Sequence, residues 1–249
     1  MIDIHSHVLY GLDDGARTFD DSVAMLRVAE ENGTTDLVAT PHANLEYRYD
    51  AALIRQRLGE LAARTKIRLY SGCDFHLSYD NIQDAIEHPQ KYTINQKCYL
   101  LVEFSDLLIF RNTPEIFGRL QDAGMIPVIT HPERNGLLRQ RIENMQAWIE
   151  AGARVQVTGQ SFTGRFGSRA REFSETLLDR GLVHFVASDA HDCERRPPKL
   201  NEAHAWLAKR CGASVADLLC IENPRAALMG EPVTAPPAAE SKKWYQIWR

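Results

Sequence analysis

The chain has 249 residues, 44% of them hydrophobic and 25% charged, which is ordinary for one large globular domain with a substantial core. A formal net charge of −4 gives no basic character that would point to nucleic acid, and no apolar run reaches the ~20 residues a membrane helix needs. Five scattered cysteines make neither a disulfide framework nor a zinc knuckle, and the residues six positions after them (Tyr79, Phe104, Lys199, Asp217, Ala226) exclude the usual Cys-to-Arg thiol phosphatase loop.

The chain opens on Met1-Ile2-Asp3-Ile4-His5-Ser6-His7, which reads as a short strand. Residues two apart share a face, so His5 and His7 project side by side as half of a metal site. With no basic segment and no apolar segment at this end, a secretory signal is not expected and a cytoplasmic location is the expectation. Gly11-Leu12-Asp13-Asp14-Gly15 is loop-like, and Thr18 with Asp21 three residues on starts a helix that Asn32-Gly33 stops. A buried strand over 36–40 ends at Pro41-His42.

The phrase then repeats. A helix over 50–64 leads to a strand over 67–71 and Gly72-Cys73-Asp74; a shorter helix over 81–87 leads to a strand ending at Glu103-Phe104. A helix over 113–123 precedes the strand 126–130 and His131-Pro132-Glu133-Arg134, and a helix over 142–151 precedes the strand 154–158. A helix over 168–180, stopped by Gly181, precedes the last strand, 182–187, and Ser188-Asp189-Ala190-His191; helices fill the chain to about Met229. This alternation predicts an α/β fold with a largely parallel sheet. Seven strand candidates predict a closed or nearly closed barrel, with an open doubly wound sheet as the alternative. From Glu231 prolines and alanines predict a flexible linker, followed by a short basic-aromatic tail over Lys242–Arg249.

His5, His7, Asp14, His42, Asp74, Glu103, His131, Asp189 and His191 all follow or end an apolar strand, so the fold would gather them on one rim. Imidazole and carboxylate without thiolate favour Mn²⁺, Fe or Zn²⁺, and this many ligands suit two or three ions. Arg134 and Arg196 are the candidates for gripping phosphate, because the guanidinium fork matches its oxygens. Arg195 rivals Arg196, Asp13 rivals Asp14, and Asp3 is expected behind the ligands, orienting an imidazole. His76 lies close behind Asp74 without a motif that requires it, and His184 reads as a packed core histidine. Tyr47, Tyr49 and Phe110 are candidates for a hydrophobic rim.

His5-Ser-His7, Thr40-Pro-His42, His131-Pro-Glu-Arg134 and Ser188-Asp-Ala-His191 resemble the motifs of the polymerase-and-histidinol-phosphatase (PHP) superfamily. With the Asp13-Asp14-Gly15 opening, Leu101-Val-Glu103-Phe, Arg196-Pro-Pro and Asn223-Pro-Arg, the chain resembles more narrowly the manganese-dependent protein-tyrosine phosphatases of capsule and exopolysaccharide operons, the CpsB/YwqE type. The resemblance covers residues 1–230 as one PHP domain and leaves 231–249 outside. It implies a distorted seven-stranded β/α barrel and a trinuclear centre: His5, His7 and Asp189 on one metal, Glu103 and His131 on a second, and Asp14, His42 and His191 on the third. The bridging residue of relatives is Glu in Gly-x-Glu; here it is Asp74, one methylene shorter. A metal-bridging hydroxide would attack phosphorus, with metal-bound water or His42 as the candidate proton donor to the leaving phenolate. The implied partner is the tyrosine-phosphorylated tail of a bacterial kinase; a homo-oligomer is compatible with the sequence, which does not set the oligomeric state. A histidinol-phosphate type of phosphomonoesterase and a regulatory module with impaired catalysis are the alternatives; a nuclease is disfavoured by acidity.

Overall fold

The structure is a computed structural model, and it describes residues 1–239. Among the described residues there are nine strands, β1 (Ile2–Ser6), β2 (Asp36–Ala39), β3 (His42–Ala43), β4 (Arg68–Ser71), β5 (Asp74–His76), β6 (Tyr99–Glu103), β7 (Ile126–Thr130), β8 (Arg154–Thr158) and β9 (Phe185–Ala187), with helices between all of them except β2–β3 and β4–β5. Every ladder between them is parallel. The strands form two sheets, one in the order β1-β2-β4 and one in the order β3-β5-β6-β7-β8-β9.

The fold is therefore α/β with parallel sheets, but the expected seven-stranded barrel is not what the ladders form, and the sheets are not closed. The expected strands 36–40 and 67–71 form as β2 and β4, and each is followed at once by a short further strand, β3 and β5, that joins the other sheet. The break between β2 and β3 falls at Thr40-Pro41, where proline has no N–H to donate. That between β4 and β5 falls at Gly72-Cys73; a Cβ on Gly72 would lie 2.8 Å from Val38 Cγ1, so only glycine fits this crossing. Single bonds span the breaks: Gly72 N–H donates to Ala39 O (2.9 Å) and Asp74 N–H to Pro41 O (3.2 Å). On the other side β1 and β9 lie side by side without a ladder, and the described residues show an isolated bridge between Ser6 and Ala190 just past β9. The chain turns through a left-handed Asp189 (φ 51°) directly after β9, which stops a ladder from continuing there.

Local signals set the elements. Thr18 and Asp21 form a capping box at the start of the helix Phe19–Glu31, and Gly33 (φ 84°) closes its end. Asp50 caps Ala51–Ala62 by accepting from Ala52 and Leu53 N–H. The last strand starts three residues later than the expected 182, because Leu182 N–H is still bonded to Leu177 O (2.9 Å) in the end of the preceding helix. Alternation along β6 splits the core. Leu100 and Val102 pack with Phe117, Leu120 and Trp148 of the helices, whereas Tyr99 and Leu101 pack with Ile2, Val38, Val128 and Phe185.

The expected flexible linker is anchored over 231–239. Val233 is buried, Tyr99 Oη donates to Glu231 O (2.7 Å), Asn223 Nδ2 to Thr234 O (2.6 Å) and Ala239 N–H to Asp179 O (2.8 Å). The basic-aromatic tail Lys242–Arg249 lies outside the described residues. Among the described residues no helix is long and apolar enough to cross a membrane, and all five cysteines are unpaired thiols.

Candidate metal centre

The carboxyl ends of β1, β3, β5, β6, β7 and β9 open into one cleft of about 260 Å³. Its lining includes Asp14, His42, Asp74, Glu103, His131, Arg134, Asp189, His191 and Arg196. His5 and His7 lie beneath it, with Nε2 atoms 3.4 Å apart. All nine ligand candidates and both arginines are thus brought together.

The backs of the two imidazoles are tied down. His5 Nδ1–H donates to Gln156 Oε1 (2.9 Å), and His7 Nδ1–H donates to Asp13 Oδ2 (2.7 Å). Each ring therefore turns its Nε2 lone pair toward Asp189 Oδ1, at 3.3 Å and 3.4 Å. Asp13 also accepts from His42 N–H (3.1 Å), so it braces two ligand segments and is not itself at the cleft. Asp14 takes the cleft position, with Oδ1 3.3 Å from His191 Nε2 and 3.4 Å from His42 Nε2. Gly15 is what lets this loop lie so close: a Cβ there would fall 2.1 Å from His7 O.

Glu103 sits between two imidazoles, with Oε1 3.6 Å from His131 Nε2 and Oε2 3.4 Å from His42 Nδ1. Asp74 Oδ2 lies 3.4 Å from His5 Nε2 and 3.3 Å from His42 Nδ1. Both Asp74 oxygens are fully buried and neither accepts a hydrogen bond. Buried carboxylate oxygens without donors are costly unless a cation completes them. The residues fit divalent metal: His5, His7 and Asp189, His5, Asp74 and His131, and His7, Asp14, His42 and His191 each bring ligand atoms within 4.8 Å of one another.

Two non-glycine residues with positive φ aim this set, His131 (33°) and Asp189 (51°). Such conformations cost roughly 1–3 kcal/mol each and persist where the surroundings hold them. Here His131 N–H is held by Gln156 O and Asp189 N–H by His5 O, both at 2.8 Å.

Arg134 and Arg196 both donate an Nη2 to the same oxygen, Asp189 Oδ2. That leaves their Nε atoms buried without partners at the cleft wall. The two guanidiniums, with neighbouring His5, hold Asp189 well below the usual carboxylate range against the opposing effect of burial. Arg195 points outward, and its carbonyl accepts from Arg165 Nε instead. Burial opposes protonation of His42, but Asp14, Asp74 and Glu103 outweigh it and push its pKa up to about 11.

Three partners of the ligands were not singled out by spacing. Gln156 has no motif signal at all, and its place on β8 next to Thr130 on β7 is a matter of register. Spacing left Asp13 and Asp14 as rivals, the family resemblance favoured Asp14, and Asp13 lies behind it as the partner of His7. His76 pairs with Glu103 across the β5–β6 ladder, its Nε2 against Glu103 Oε2. Asp3 orients no imidazole: it accepts from Ser188 N–H (3.0 Å) and Ser188 Oγ (2.5 Å) and so fixes the Ser188-Asp189 turn. Of the candidate rim, Tyr47 stacks on His42 (5.9 Å, 15°). Tyr49 turns inward to donate to Gly72 O (3.0 Å), and Phe110 stays exposed beside the cleft.

Parallel strands that deliver imidazoles and carboxylates to one cleft define a metal-binding α/β protein of the hydrolase type. The chain belongs to the family described as "Capsular polysaccharide synthesis, CpsB/CapC", whose model matches residues 1–229. It is 37% identical over 209 residues to the putative tyrosine-protein phosphatase CapC of Staphylococcus aureus, covering 81% of each chain. It is 33% identical over 249 residues to the tyrosine-protein phosphatase YwqE of Bacillus subtilis, covering 98% of this chain and 97% of that one. Among solved structures it is similar, at TM-score 0.89 and 33% identity over 96% of this chain and 98% of the other, to one described with YwqE of B. subtilis and CpsB of Streptococcus pneumoniae as unique metal-dependent tyrosine phosphatases. A lactonase of Listeria monocytogenes, Lmo2620, shares the fold at TM-score 0.59 and 11% identity, covering 93% of this chain and 95% of that one.

Proposed function

We propose that the protein is a metal-dependent protein-tyrosine phosphatase acting in capsular or exopolysaccharide synthesis. The observation that carries this reading is the convergence of two guanidiniums and a full imidazole-carboxylate set on one cleft, in a chain whose relatives bear that name. His5, His7 and Asp189 would hold one cation, Glu103 and His131 a second, and Asp14, His42 and His191 a third, with Asp74 reaching between them. Mn²⁺ fits this thiolate-free set, as do Fe and Zn²⁺. Bound cations supply Lewis acidity toward the phosphoryl oxygens and activate water for attack.

The chain's own groups do the rest. Arg134 and Arg196 would exchange Asp189 Oδ2 for phosphate oxygens, orient the ester and offset its transition-state charge. His42 Nδ1 has no hydrogen-bond partner and is our candidate donor of a proton to the leaving phenolate. A distorted barrel in which the isolated Ser6–Ala190 bridge marks the closing seam is the fold reading that goes with this assignment. By analogy the substrate is the phosphorylated tail of a tyrosine kinase, met in the cytoplasm. The competing chemistry is a small phosphomonoester such as histidinol phosphate. Parallel assays of the manganese-loaded protein separate the two: kcat/KM on a phosphotyrosyl peptide should exceed that on histidinol phosphate by at least about tenfold, one step of 1.4 kcal/mol. The reverse order would overturn the reading.

A further inference from the structure

Against the polar metal cleft lies a second cavity of about 360 Å³ with a different lining. Leu45, Leu77, Phe104, Leu108 and Phe110 supply apolar walls, and His76 stands at its inner edge. Leu45 is 99% exposed, Leu108 49% and Phe110 41%, so this is an apolar surface left open on the rim of a charged site. The two cavities share walls, Glu103 and Phe104.

The segment that builds this wall is held at both ends. Phe104 stacks on Trp148 (5.6 Å, 4°), and Asn135 Nδ2 donates to the carbonyls of Phe104 (3.2 Å) and Ser105 (3.1 Å). At the far end Thr113 Oγ1 donates to Phe110 O (2.7 Å). The apolar face is thus preformed, which lowers the cost of ordering it around a ligand.

We infer that this cavity receives the aromatic ring of the phosphorylated residue while its phosphate lies in the metal cleft, so that Leu108 and Phe110 select aryl over alkyl phosphate esters. The inference rests on the phosphatase reading and deepens it. A phosphotyrosine is charged at one end and apolar next to it. A ring leaving the cleft toward Asp14, Asp189, Arg134 or Arg196 would desolvate several charges, whereas on the Phe104 side it meets the carbon of Leu77, Leu108 and Phe110, with Glu103 the charged group on the shared wall. The direction of exit is therefore set by the shared wall.

Two ligands of equal headgroup and different tail test this: phenylphosphonate and methylphosphonate, titrated by calorimetry into the metal-loaded full chain. The wild type should bind the phenyl compound tighter by on the order of tenfold. Leu108→Ser and Phe110→Ser, both at exposed positions, should each bring that ratio toward one while bound metal stays the same. An unchanged ratio in both variants would mean that the ring lies elsewhere, for instance on Tyr47, and would overturn the inference. Equal weakening of both phosphonates would overturn it too, since the loss would then be at the headgroup. A metal-loaded wild type that leaves a phosphotyrosyl peptide intact is a distinct result, which would remove the phosphatase reading and this inference with it.

Discussion

Asp74 is the residue on which the centre's chemistry turns. Its carboxylate is wholly buried, both oxygens lack donors, and His5 and His42 stand 3.4 Å and 3.3 Å away. Burial pushes its pKa up, but His5 and then His42 more than offset this and hold it well below the usual range. An ionised carboxylate with no donors is poor packing and good coordination chemistry. Asp74→Ala should therefore weaken metal binding by at least on the order of 10–100-fold, the loss seen even for outer partners of ligands. Metal content after gel filtration and a calorimetric titration check it; an unchanged ion count and rate would refute a bridging role. The candidate ligands that the cleft gathers were legible in the sequence, because imidazole and carboxylate recur at the end of one apolar strand after another. Gln156 and Asp13 were not. A glutamine within a strand and one of two adjacent aspartates carry no periodic signal, and only three-dimensional register turns them toward His5 and His7.

At the scale of elements, helix ends were readable to within one or two residues wherever a cap or glycine marked them, as at Thr18, Asp50 and Gly33. The short strands β3 and β5 were not, because two or three residues past Pro41 and Gly72-Cys73 are too few to carry an alternating pattern. His184 shows how the later strands are locked. Its Nδ1 accepts from Val155 N–H (3.3 Å) and its carbonyl accepts from Asn223 Nδ2 (2.8 Å), so it ties β8 to the start of β9 and to the helix Asn223–Met229. Burial, aided by nearby Arg154, pulls its pKa down to about 3. The ring is neutral in the fold, whereas in the unfolded chain it protonates below about pH 6.5. Its contribution is full above that pH and is lost as pH falls toward 3, by up to about 1.4 kcal/mol per unit. Urea unfolding at pH 7 and pH 5 should cost the wild type roughly 1–2 kcal/mol more than His184→Gln. Equal pH dependence in the two proteins would contradict this assignment.

Across the whole molecule, two parallel sheets carry the cleft at one end, and the segment 231–239 packs at the other, where Tyr99 and Asn223 hold it. The α/β class followed from the alternation of elements, since that is a local pattern. Closure did not, because whether the first and last strands form a ladder depends on the turn at Asp189, which no local pattern reports. This architecture leads to one chemistry: the cleft is expected to hydrolyse phosphotyrosine, and to do so only with cations bound. The direct measurement is hydrolysis of a phosphotyrosyl peptide by chelated protein, then during stepwise return of Mn²⁺ with bound metal counted in parallel. The predicted result is no turnover in the chelated protein and a rate that rises with ions bound to saturation. Full turnover without metal, or none in the fully loaded protein, would contradict it.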